Sequence, residues 1–328
     1  MKIKVVRKEH IFEPGKYFMQ CHASTLIRFK NRDILSAWFG GTHEGHKDVA
    51  IWCSMRKEGK WGEPVKVADE EGVPCWNPVL FKDEKDKVYL FYKVGPNPRT
   101  WYTKLIVSED MGNSWSSPKE LVDGDIGGRG PVKNKIITLS NGTWLAPASI
   151  ETDTSWDAFV DISKDHGRTW IKSSMVPLNH DNLQGKGVIQ PTLWESKPGK
   201  VHMLLRSTEG FIYRSDSNDY GSTWCEAYPT NLPNNNSGID LVKMKDDRLV
   251  LVYNPVSGNW AVRTPIACSI SSDNGSTWSE NFILDHNENP IDRTDGEFSY
   301  PAVIAEGNHI YITYTWKRQT IAYWELEV

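Results

Sequence analysis

Residues 108–115 read SEDMGNSW, and residues 163–170 read SKDHGRTW. The same pattern, Ser-x-Asp-x-Gly-x-x-Trp, returns as SNDYGSTW at 217–224 and SSDNGSTW at 271–278. Its tryptophans, Trp115, Trp170, Trp224 and Trp278, stand 55, 54 and 54 residues apart. A weakened copy, SMRKEGKW at 54–61, keeps Ser54, Gly59 and Trp61. A further step of the same length past Trp278 overruns the C-terminus. A fixed spacing near 50 marks a structural unit repeated along the chain.

Between the copies the sequence reads as strands. DILSAWFGG, VAIWCSMR, KVYLFYKV, VHMLLRST, RLVLVYN and HIYITYTW are short, β-branched and aromatic, and are bounded by Gly, Asn, Asp or Pro. No stretch has the period of an amphipathic helix. About four strands per unit, repeated radially, make the blades of a β-propeller. The sixth unit stops after three strands, and a spare strand, KIKVVRKE, precedes the first unit. The expectation is an all-β, six-bladed propeller of four-stranded antiparallel blades, a single domain over 1–328. The N-terminal strand completes blade six and removes an exposed sheet edge.

Composition narrows the function classes. With 38 Lys+Arg against 42 Asp+Glu the formal charge is -4, and there is no basic block, so nucleic acid is not an expected partner. No apolar run approaches the roughly 20 residues that cross a bilayer. The start, MKIKVVRKEH, lacks a signal-peptide pattern, which places the chain in the cytoplasm, or outside it if a leader was removed. Five scattered cysteines without CxxC spacing predict neither a disulfide framework nor a zinc knuckle. The repeated motif itself reads as structural: Asp accepts from turn N–H groups, Gly permits positive φ, and Trp packs beneath. A calcium reading of DNG fails for want of the downstream Glu.

The repeated octamer is the Asp-box, or BNR repeat, and the chain resembles the sialidase (neuraminidase) superfamily. Within it the closer likeness is to BNR-repeat sialidase-like proteins grouped as exo-α-sialidases, carried by CHASTLIRF, AWFGGTHEGHKDVAIW, PCWNPVLF, GPVKNK, NNNSGIDLV and FSYPAVI. The resemblance implies a six-bladed propeller and an acidic carbohydrate substrate, with no cofactor and no metal.

Strand parity selects the face that carries the chemistry. The Trp-bearing turns join third and fourth strands. The loops from second to third strands, and the starts of the innermost strands, lie on the opposite face. Those starts are His22, Asn77, Lys133, Gln190, Ser237 and Tyr300, and Lys135 and Asp240 follow within the same strands. The loops add His43, Glu44, His46 and Asp48; Arg99; Glu151; Arg206; Tyr253 and Trp260; and Arg318. Cations can clamp a carboxylate there, and indoles can stack on sugar faces.

Sialidases use an arginine triad, an Asp acid/base, and a Tyr nucleophile helped by a Glu. The resemblance places the Tyr at Tyr300, the Asp at Asp48 and one Arg at Arg206. His22 stands where the family has an Arg, and Gln190 where it has the Glu. Arg99, Arg129, Arg263 and Arg318 are all candidates for the remaining cations. Expected binding residues are Arg206, His43, His46, Asn77, Lys133, Lys135, Gln190, Asp240, Tyr253, Arg99 and Arg318, with Tyr300, Asp48 and His22 catalytic. The leading expectation is an exo-acting hydrolase for sialic acid or a related acidic sugar. A uronic-acid lyase using His22 and Tyr300 is the alternative, and a non-catalytic glycan-binding propeller is a third.

Overall fold

A computed structural model describes residues 3–289 and 296–328. Six antiparallel sheets follow one another around an axis, and among the described residues the only helical turn is a 3-10 turn at His180–Asn182. Blade four shows the plan: Val188–Lys197 innermost, then Lys200–Ser207, Phe211–Ser217 and Tyr228–Pro233. Blade six is completed from the other end of the chain. Lys4–His10 pairs antiparallel with Thr320–Glu327, outside His309–Trp316 and Phe298–Glu306. Blade one carries a fifth short strand, Val65–Ala68, on its third strand, Ala50–Lys57.

The core lies between neighbouring blades. Ala37, Phe39 and Ile51 of blade one pack with Leu80, Leu90 and Tyr92 of blade two, all buried. Each blade presents two apolar faces, so its strands read as nearly continuous apolar runs rather than alternating ones.

The four Trp-bearing turns share one geometry. Asp110 accepts from the Ser114 N–H at 2.8 Å and from the Ser114 and Ser108 hydroxyls at 2.6 and 2.7 Å. Asp165, Asp219 and Asp273 repeat this with Thr169, Thr223 and Thr277. The residue before each Gly and the Gly itself are both left-handed, as at Asn274 (φ 59°) and Gly275 (φ 82°). Blade one keeps that pair at Glu58 and Gly59 without the Asp.

A second feature recurs on the opposite face. Ala23, Asn77, Lys133, Gln190, Asn236 and Tyr300 have φ between 40° and 68°, one near the start of each blade's inner strand. Register shifts follow in blades one, two, four and six. Such a bulge turns the side chain out of the ladder, and a left-handed non-glycine residue costs about 1–3 kcal/mol that the surrounding packing must offset. Ala23, not His22, is therefore the blade-one counterpart of Tyr300; His22 lies one position earlier. In blade three, regular inner pairing is confined to Ile137–Thr138, because residues 133–135 are turned to the axis. In blade five it begins at Asp240 rather than Ser237.

Hydrogen bonding holds Asp110, Asp165 and Asp273 down at about 2, led by the Ser114 or Thr hydroxyl in each turn. A depressed carboxyl adds stability that is present above the ordinary value near 4 and is lost as pH falls toward the folded one. Asp273→Ala should therefore lower the thermal midpoint at neutral pH, and its difference from wild type should narrow between about pH 4 and 2. A constant difference across that range would contradict the assignment.

Candidate active site

The cleft opens on the face predicted by strand parity. It has a volume of about 550 Å³, and its lining includes Glu44, Trp260, Arg263, Glu297, Tyr300 and Arg318. Blades one, five and six supply the lining, and blade four adds Arg206, which is buried and bonded to Tyr300. Arg206 ends the second strand of blade four, Arg263 and Trp260 come from the second-to-third loop of blade five, and Arg318 from that of blade six. Glu44 comes from the corresponding loop of blade one.

Tyr300 sits at the centre, 7% exposed. Its hydroxyl accepts from Arg206 Nη1 at 2.6 Å. The same guanidinium donates to Gln190 Oε1 at 3.1 Å and, through Nε, to Asn236 Oδ1 at 2.7 Å. Trp156 and Trp260 flank it, with guanidinium-to-ring distances of 5.6 and 5.5 Å. Three left-handed strand starts, Gln190, Asn236 and Tyr300, are thus tied to one arginine.

Glu297 organises the other two arginines. It accepts from Arg318 Nε at 2.7 Å and from Arg263 Nη1 at 3.2 and 3.3 Å, and Arg318 also donates to Glu44 at 2.8 Å. Burial would raise the Glu297 pKa, but Arg263 and Arg318 outweigh it and hold the carboxyl below its usual range. Arg263 lies 5.5 Å from the Tyr300 ring. Arg206 and Arg263 therefore face one phenol, and Arg318 lines the same cleft.

His22 is 1% exposed and packs on Tyr300, with ring centroids 4.1 Å apart. Its Nδ1 meets Thr315 Oγ1 at 2.8 Å, and its Nε2 is buried without a hydrogen-bond partner. Burial pushes its pKa well below the ordinary imidazole value, and Arg318, Arg263, Arg206 and Lys133 push the same way.

Lys133 lies beneath. Its ammonium donates to the carbonyls of Ile239 and Pro301 and to Asn134 Oδ1. Burial lowers it to about 7; Asp240 opposes the shift, while Lys135 and Arg206 add to it. Gly238 is required here: a Cβ would stand 2.9 Å from Lys133 Cε and 3.3 Å from the Tyr300 ring.

Several expected binding residues lie elsewhere. Lys135 and Asp240 pair at 2.8 Å deeper in the channel, where Asp240 also accepts from the Thr192 hydroxyl and the Val303 N–H. Their charges are satisfied inside the ring. Tyr253 turns into blade five, and its hydroxyl donates to Asn281 at 3.0 Å. Arg99 is exposed and paired with Asp153, and Arg129 is held by Asp161. Asn77 is buried at its strand start. His43 and His46 stack in the blade-one loop, with centroids 5.0 Å apart, and neither lines the cleft.

Asp48, like Arg206, His22, Gln190 and Glu151, is not among the residues that line the cleft. It accepts from the Thr42 N–H and hydroxyl and faces His46 Nδ1 at 2.6 Å. Burial would raise its pKa slightly, but these bonds bring it to about 2. Its carboxylate caps its own loop. Glu297, Asn236, Trp156 and Thr315 were not singled out from sequence; the signal for Glu297 was its place three residues before Tyr300. Among the described residues no group of three or more His, Cys, Asp or Glu could hold a metal ion.

A family profile described as "BNR repeat-like domain" matches residues 32–312, most of the chain. The chain belongs to the BNR repeat-like family. Its fold is shared with a sialidase from a Hadza microbial source, Hz136, at TM-score 0.81 and 17% identity, covering 98% of this chain and 68% of that one. A Dyadobacter fermentans protein of unknown function matches at 0.77 and 18%, covering 99% of both chains. Trypanosoma rangeli sialidase matches at 0.73 and 14%, covering 97% of this chain and 59% of that one. At these identities the likeness is one of fold. The BNR repeat-like chain thus shares its propeller fold with these structures.

The buried His22 has a pH consequence. Its folded pKa lies below the unfolded one, so the unfolded chain binds the extra proton and stability falls as pH drops through about 6.5. His22→Gln should therefore show a smaller fall in thermal midpoint than wild type between about pH 7.5 and 5.5. An equal fall in both would mean that folding does not lower the His22 pKa.

Proposed function

We propose that this protein is an exo-acting glycoside hydrolase of the sialidase type, which removes a terminal acidic sugar such as sialic acid. The observation that carries the reading is the contact of the Tyr300 hydroxyl with Arg206 in a cleft that also presents Arg263 and Arg318. Guanidinium forks match a carboxylate in shape and charge. The arginines are oriented beforehand by Glu297, Glu44, Gln190 and Asn236, so little ordering remains for the substrate to impose. The exposed Trp260 indole offers a sugar-stacking wall.

Tyr300 is the nucleophile of this reading, a known exception to the two-carboxylate scheme. A neutral phenol approaches an anomeric carbon beside a carboxylate without charge repulsion. In this reading its proton passes on attack to His22, which packs on its ring but is not hydrogen-bonded to its hydroxyl in the free protein, and Arg206 stabilises the developing phenolate. The three guanidiniums that depress His22 in the free protein are the groups a bound carboxylate would partly neutralise. A bound carboxylate would thus offset the part of the His22 shift that the cations cause, while burial continues to lower it.

The packing of His22 on Tyr300, together with Gln190 in place of a Glu, also favours a second reading. In a uronic-acid lyase, His22 and Tyr300 would move the protons of a β-elimination, with the arginines on the uronate carboxylate. The products separate the two. A 4-methylumbelliferyl sialoside should release its fluorophore, and Tyr300→Phe should lower that turnover by about 10²-fold or more. No release from the sialoside, with an unsaturated ultraviolet-absorbing product from a uronide glycan, would replace the first reading by the second.

A further inference from the structure

Gln190 leaves a gap in the proton chemistry: an amide cannot give or take a proton at the edge of the cleft. Strand geometry brings a carboxyl toward that place from the neighbouring blade. The second strand of blade three, Trp144–Glu151, ends on the cleft face at Glu151. Residues two apart along a strand share a face. The Ser149 hydroxyl accepts the Gln190 N–H at 3.4 Å, so this face looks onto the start of blade four. Glu151 is the next residue on it, one step nearer the rim. Across the hairpin Glu151 is paired with Trp156, and directly opposed residues set their side chains side by side. Trp156 is the indole against Arg206, and it meets Trp260 edge-on at 6.3 Å.

The environment of Glu151 differs from that of Asp48. Among the described residues no hydrogen bond to its carboxyl is found, whereas Asp48 has three partner atoms around it. Burial raises the Glu151 pKa above the ordinary carboxyl value, and Glu44 adds to this. Arg206, Lys186 and Lys93 pull against it without cancelling it. A carboxyl that keeps its proton longer is suited to give it to a leaving group.

We propose that Glu151, on blade three, is the general acid/base of the hydrolase, in place of Asp48. This rests on the hydrolase reading above. In the first step the bond from the anomeric carbon to the leaving oxygen breaks as the bond to Tyr300 forms. Glu151 gives its proton to the leaving oxygen, and His22 takes the phenol's. In the second step water attacks the anomeric carbon and the bond to Tyr300 breaks. Glu151 takes the water's proton, and His22 returns its own to the phenolate. Sugar and alcohol leave, one water is consumed, and the enzyme is restored.

The test compares leaving groups. Wild type, Glu151→Gln and Asp48→Asn are assayed on 3′-sialyllactose, whose alkoxide must be protonated to leave, and on 4-methylumbelliferyl sialoside, whose phenolate need not be. Glu151→Gln should lose about 10²–10⁴-fold in kcat/KM on sialyllactose but less than about tenfold on the aryl sialoside, together with the high-pH limb of its profile. Asp48→Asn should keep the wild-type ratio between substrates. Formate should restore sialyllactose cleavage to Glu151→Ala, a readout that a folding defect would not give. Equal losses on both substrates, no loss at all, or a leaving-group effect confined to Asp48→Asn would overturn the assignment while leaving the hydrolase reading intact. A wild-type protein that cleaves neither substrate would remove the hydrolase reading for sialosides, and this assignment with it.

Discussion

The pairing of Lys4–His10 with Thr320–Glu327 is the constraint on which the site depends. Closing the ring brings blade six against blade one, and with it residues from opposite ends of the chain. His22 reaches Thr315 across 293 positions of sequence, and its ring lies on Tyr300. The Ser24 and Thr313 hydroxyls bond at the same seam. Without closure blade six would lack its outer strand, and the imidazole, the phenol and Arg318 would not share one opening.

The second determinant is how buried charge is held at the axis. A buried cation is costly unless it is paired or hydrogen-bonded. Each one here has an answer. Lys133 sits on main-chain carbonyls, Lys135 on Asp240, Arg206 on neutral acceptors, and Arg263 and Arg318 on Glu297. Arg206 is distinctive because its fork is met by an amide oxygen, another amide oxygen and a phenol, with no carboxylate bonded to it. Among the described residues its charge is thus oriented by neutral groups and not neutralised by a bonded anion. Burial is the main reason that the His22 pKa lies well below the ordinary imidazole value, and these cations push the same way.

Much of this was legible in the sequence. The spacing of Trp115, Trp170, Trp224 and Trp278 disclosed the blades, and the unfinished last unit disclosed the closure. Parity along the strands pointed to the face on which the cleft opens, where Tyr300 meets Arg206 and Arg318 lines the opening. Depth was not legible. Lys135 and Asp240 lie only a few strand steps from the mouth, yet each step of about 3.3 Å carries a side chain farther into the channel. Loop direction was not legible either, so Tyr253 was expected at the cleft although its hydroxyl turns to Asn281. Asp48 had the residue type and neighbourhood of an acid, but Thr42 and His46 occupy its carboxylate. Glu297 was hidden because its meaning lies in two arginines from separate loops, which only the folded ring brings together.

The central claim is that the opening over Tyr300 receives the carboxylate of an acidic sugar. A crystal structure of the protein soaked with 2-deoxy-2,3-dehydro-N-acetylneuraminic acid tests it most directly. The account predicts the ligand carboxylate within about 3 Å of guanidinium nitrogens from Arg206, Arg263 or Arg318, with the ring carbon that bears it above the Tyr300 hydroxyl. The same ligand bound only on the face of the Trp-bearing turns, or an empty cleft at saturating ligand with Arg263 and Arg318 still on Glu297, would contradict it.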